Sequence, residues 1–92
     1  MSIEQEFNDF HHRNPHVYKT LLIKARQYRN FNPTGRLGIR TLWENMRWDY
    51  LLSTEHQEFK LNNDFTSHYA RMLMAKNPEL LGMFELRGLR AA

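Results

Sequence analysis

The chain has 92 residues, a hydrophobic fraction of 41%, two Trp, four Tyr and six Phe, and a net charge of +3. It is too short for two independent cores but apolar and aromatic enough to close one, so intrinsic disorder is excluded and a single compact domain over 1–92 is expected. The absence of cysteine removes disulfides, thiolate metal sites and a cysteine nucleophile, and no apolar run approaches the roughly 18 residues of a membrane span.

The opening MSIEQEFNDF is acidic and lacks the basic-then-apolar order of a signal peptide, so a soluble, cytoplasmic domain is expected. Ser2 and Gln5 have capping-box spacing, and Ile3, Phe7 and Phe10 follow at helical intervals. Asn14-Pro15 restarts the helix, with Asn as the expected cap. Val17, Leu21, Leu22, Ala25 and Tyr28 then mark an apolar stripe flanked by Lys24, Arg26 and Arg29. NFNPTGRLG (30–38) is a turn. A third helix carries Ile39, Leu42, Trp43, Met46 and Tyr50, with Arg40, Glu44, Arg47 and Trp48 on its other side.

STEHQ (53–57) reads as a loop, and EFKL (58–61) alternates as a strand does. Asn62, Asn63 or Asp64 is expected to cap a fourth helix with the inner stripe Phe65, Tyr69, Met72 and Leu73, stopped by Asn77-Pro78. GMFELRGLR (82–90) alternates again. An isolated strand is unstable, so 58–61 and 83–87 are expected to pair as a two-stranded antiparallel ribbon. The expected core is Phe7, Phe10, Val17, Leu21, Leu22, Ile39, Leu42, Trp43, Met46, Phe65, Tyr69, Leu73 and Phe84. The fold class is mainly α: a winged-helix-like helix-turn-helix variant with about four helices and a small ribbon.

Charge is unevenly spread. Residues 1–12 carry three acids and no base, whereas residues 13–47 carry eight bases against Glu44 alone, a balance of +7. Such a local, arginine-rich excess is a candidate footprint for a polyanion. Lys24, Arg26, Arg29, Arg36 and Arg40 are the expected phosphate contacts, and these arginines with Arg71 are expected to share a face with Asn63 and Ser67. Asn63, Thr66, Ser67, His68 and Arg71, at and after the start of the fourth helix, offer donors and acceptors to base edges or phosphates in a major groove. The alternative is that the +7 block is a solvated surface, that Asn62, Asn63 and Asp64 only cap the helix, and that Ser67 and His68 are ordinary exposed residues.

His12 and His16 have the i, i+4 spacing of a metal clip, but Pro15 lies between them and no third ligand is local. A solvated turn is expected there, with no metal or other cofactor. There is no glycine-rich phosphate loop, nucleophile elbow or carboxylate pair, so no enzymatic activity is expected.

The combination of F-x-x-x-NPHVY (10–18), GIRTLWENMRW (38–48), EFKLNNDFTSHYARMLM (58–74) and FELRGLR (84–90) resembles a group of small bacteriophage and prophage proteins. The resemblance spans nearly the whole chain. It implies a phage setting and a compact domain, and carries no activity or site residues with it. Two functions follow as expectations. The first is a non-enzymatic binder of double-stranded DNA. The second is a protein-interaction module inhibiting a host nuclease, transcription or defence complex, through the acidic first ten residues or Trp48. A homodimer remains open in either case.

Overall fold

A computed structural model describes residues 2–52 and 63–84, and these are mainly helical. Four α-helices follow in order: α1 (Ile3–Arg13), α2 (Pro15–Phe31), α3 (Ile39–Leu52) and α4 (Thr66–Lys76). A 3-10 turn at Asn63–Phe65 precedes α4, and another at Pro78–Leu80 follows it.

α1 opens as its sequence predicts. Gln5 N–H donates to Ser2 Oγ at 3.3 Å and Ser2 N–H to Gln5 Oε1 at 3.2 Å, closing the capping box. It ends because Pro15 has no N–H and pushes the preceding residue out of the helical region. Asn14 accordingly sits at φ −131°, ψ 61°. It stands at the N-cap position of α2 as expected, and its carbonyl accepts from Val17 N–H at 3.1 Å, but its side chain does not cap that helix. Its Nδ2 donates back to the Phe10 carbonyl at 3.1 Å, and it makes no side-chain bond into α2. Asn14 closes the first helix and leaves Pro15 to start the second.

At the start of α4 Phe65 is the residue preceding the helix and makes no side-chain cap bond; a 3-10 turn over Asn63–Phe65 leads in, and Asn62, one of the expected caps, lies outside the described residues. At the other end Asn77-Pro78 stops the helix as predicted, with Asn77 at φ −132°, ψ 94°.

One core joins all four helices. Of the expected core residues, all are buried except Phe10 and Leu22, which are half-buried and pack against the rest. Trp43 of α3, fully buried, lies against Tyr69 of α4 with ring centroids 5.8 Å apart. Phe7 brings α1 into the same layer, edge-on to Tyr69 at 4.8 Å and to Phe65 at 5.7 Å. Ala25, Ala70, Leu80 and Met83 complete the cluster.

After the second 3-10 turn the backbone reverses at Gly82, whose φ of +80° is a left-handed conformation that favours glycine. This brings Met83 and Phe84 beneath the α2–α3 turn. Leu37 N–H donates to the Met83 carbonyl at 2.9 Å, and Leu37 and Phe84 form a parallel bridge. Of the segments expected to form the ribbon, 58–61 and 83–87, all of the first and residues 85–87 of the second lie outside the described residues. Phe84, the described end of the second segment, meets Leu37.

Candidate functional site

The basic residues of α2 are engaged within the molecule. Lys24 Nζ donates to Asn45 Oδ1 at 2.6 Å and to Asp49 Oδ2 at 2.8 Å, tying α2 to α3. Arg26 donates from Nε to Glu79 Oε1 at 3.0 Å and from Nη2 to Asn77 Oδ1 at 3.2 Å. Arg29 donates to three backbone carbonyls: Glu79 at 3.1 Å from Nε, and Pro33 at 2.8 Å and Gly35 at 3.0 Å from Nη1. A Cβ at Gly35 would collide with the side chains of Asn32 and Tyr28, so glycine lets the turn close this tightly.

The Arg26 and Arg29 bonds to Asn77 and Glu79 gather at the C-terminal end of α4, where unpaired carbonyls and the negative end of the helix dipole favour cations. Asn77 is the hub. Its Nδ2 donates to Tyr18 Oη and to the Leu73 carbonyl, both at 2.9 Å, while its Oδ1 accepts from Arg26. The Glu79 carboxyl is held below its ordinary range, first by its own backbone N–H and then by Arg26.

Arg36 and Arg40 are different. Both are exposed, and among the described residues their side chains make no hydrogen bond or ion pair. Arg36 borders an open cleft of about 440 Å³ between the α2–α3 turn and residues 79–82. Arg71 of α4 is likewise exposed and unpaired among the described residues. Arg47, the remaining base of α3, lies 3.8 Å from Glu44.

The polar residues at the start of α4 do not form one open face. Thr66 is buried. His68 is half-buried and stacks on Phe7 of α1 with centroids 5.0 Å apart. Ser67 is half-buried, and its i, i+4 spacing puts it on one stripe with Arg71. Asn63 stands in the 3-10 turn ahead of them. Arg26 and Arg29, expected on the same face as Ser67, bond to Asn77 and Glu79 instead. Ten residues of helix separate Ser67 from Asn77, about 15 Å at the α-helical rise. The expected single face is therefore divided: α2 cations at one end of α4, polar groups at the other.

The aromatic layer between α1 and α4 holds buried polar atoms without hydrogen-bond partners among the described residues: His11 Nδ1, His68 Nδ1 and Tyr69 Oη. Burial pushes the Tyr69 phenol well above its ordinary value. Burial, then Lys76 and His12, hold His11 below the ordinary histidine value. Sequence reasoning placed Phe7, Phe10, Phe65 and Tyr69 in the core but missed that His11 and His68 join them, and it missed the Asn77 hub. It also left open the surface of α3, where Trp48, Leu51 and Leu52 are 59%, 69% and 66% exposed.

Comparison with protein-family models, curated proteins and solved structures finds no match for the chain. Among the described residues no helix is long and apolar enough to cross a membrane.

Proposed function

We propose that the protein is a phage-encoded, non-enzymatic DNA-binding domain of winged-helix-like architecture, acting in the cytoplasm of its bacterial host. α3 is the supporting helix, α4 lies against the duplex, and residues 58–61 with 83–87 supply the wing. The observation that carries the reading is the set of exposed guanidinium groups with no intramolecular partner among the described residues: Arg36, Arg40 and Arg71. These hold phosphates, and Ser67, with Asn63 ahead of it, faces the groove beside Arg71. Lys24, Arg26 and Arg29 act from behind, by fixing the turn that presents Arg36. The attraction is chiefly electrostatic, so affinity falls steeply with salt. The test is binding to labelled duplexes across a salt series. Tight, salt-sensitive binding is expected; a folded protein that fails to bind at low salt refutes the reading.

A second reading is favoured by the three exposed apolar residues at the end of α3. Trp48, Leu51 and Leu52 form the kind of patch that marks a protein contact. On this reading the domain occupies a host nuclease, transcription or defence complex. Capture of a host protein after nuclease treatment, lost in a folded Trp48→Ser/Leu52→Ser variant, supports it. Capture that survives the double substitution contradicts it.

A further inference from the structure

α1 is held to the rest of the molecule by little apolar surface. Phe7 is its one buried residue, with Phe10 and His11 half-buried beside it. The His11 ring lies parallel to Phe7 with centroids 6.0 Å apart, and edge-on to Tyr18 at 5.7 Å and Tyr69 at 6.0 Å. Its Nδ1 is buried without a hydrogen-bond partner among the described residues. A neutral imidazole tolerates this, because its unprotonated nitrogen is only an acceptor; an imidazolium carries two donors and needs two acceptors. Among the described residues, the groups that act on it or touch it supply no negative charge. They are His12 on α1, Tyr18 on α2, and His68, Tyr69 and the positively charged Lys76 on α4, with Tyr50 of α3 next to Tyr69. Asp64, in the turn before α4, is exposed to solvent. The Asn14-Pro15 junction, where the helical ladder is already broken, is a ready hinge.

We propose that α1 is a flap that protonation of His11 releases from the core. Burial, Lys76 and His12 all act to lower the proton affinity of His11 in the docked state below the ordinary value of 6.5. The released helix then binds the proton more tightly than the docked one. Docking is at full strength above about pH 6.5 and weakens as the pH falls from there toward the docked-state value, by no more than about tenfold per pH unit for one proton. Release bares the aromatic faces of Phe65, His68 and Tyr69 that Phe7 now covers. The device stands apart from the DNA-binding reading and is tested without DNA.

The experiment is amide hydrogen exchange on the full chain between pH 7.5 and 5, corrected for the intrinsic exchange rate. Protection in α1 is expected to fall as the pH drops below 6.5, by no more than about tenfold per pH unit and levelling off at the docked-state value, while α2 and α3 hold theirs. His11→Phe, which keeps an aromatic ring but takes no proton, is expected to make α1 protection independent of pH. Flat α1 protection in the unsubstituted protein, or the same fall in His11→Phe, overturns the proposal. So does a fall abolished by His68→Phe and not by His11→Phe. If His11→Phe does not fold, the His11 ring proton titration decides: a midpoint below 6.5 that tracks loss of α1 protection supports release, and a midpoint at or above 6.5 overturns it.

Discussion

At the C-terminal end of α4, Asn77 is 7% exposed and every polar atom of its side chain is bonded, to Tyr18, Leu73 and Arg26. Toward the N-terminal end, on the side of α4 that faces α1, His11, His68 and Tyr69 bury polar atoms that have no partner among the described residues. Both ends are packed, and both draw on α2, but the polar groups act with opposite sign. A buried polar group with its bonds made adds cohesion, and the same group unpartnered subtracts the cost of its lost hydration. The C-terminal end is thus a latch, to which α2 lends Arg26 and Arg29. At the N-terminal end stacked and edge-on rings tie α1 to α4, and it is where a change of protonation has leverage.

The largest expected effect lies between the two. Trp43→Ala removes the fully buried ring that packs on Tyr69 and should cost about 3–5 kcal/mol, enough to unfold many domains of this size. A folded protein with almost unchanged denaturant midpoint would show that the two ends do not share a core.

Asn77→Ala comes next. Losing three side-chain bonds at a buried site should cost about 2–3 kcal/mol by equilibrium denaturation. Tyr69→Phe sharpens the contrast, because it deletes a buried hydroxyl without a partner. Stability should be unchanged or raised by up to about 1 kcal/mol. A clear loss in Tyr69→Phe would mean that the hydroxyl is bonded and that the ends are alike. Lys24→Ala is the smallest. Its Asp49 partner is half-exposed, so the cost should stay within about 1 kcal/mol and shrink in high salt.

Much of the fold is legible in local sequence. Ser2 with Gln5, the Pro15 break, the 30–38 turn and the Asn77-Pro78 stop are short-range signals, and each falls where its chemistry predicts. The apolar stripes of α2 and α3 give the core for the same reason, since a helix's period is local. What escaped is long-range. Nothing near Arg26 or Arg29 announces that their partners lie 51 and 50 residues on, at Asn77 and Glu79. A charge count treats every arginine alike, whereas folding spends some on carbonyls and leaves others in solvent. Thr66 and His68 looked available because helical spacing alone does not reveal that Phe7 of α1 covers this end of α4.

The division of the basic block into latched and exposed cations is the claim that reaches from fold to function. It is tested most directly by the salt dependence of duplex DNA binding in two double variants, Arg36→Ala/Arg40→Ala and Arg26→Ala/Arg29→Ala. The first should keep its thermal midpoint and lose about 0.9 from the log–log salt slope for each phosphate contact removed. The second should lower the thermal midpoint and, while folded, leave the slope unchanged. A slope that flattens in the Arg26/Arg29 variant and not in the Arg36/Arg40 variant would contradict the account.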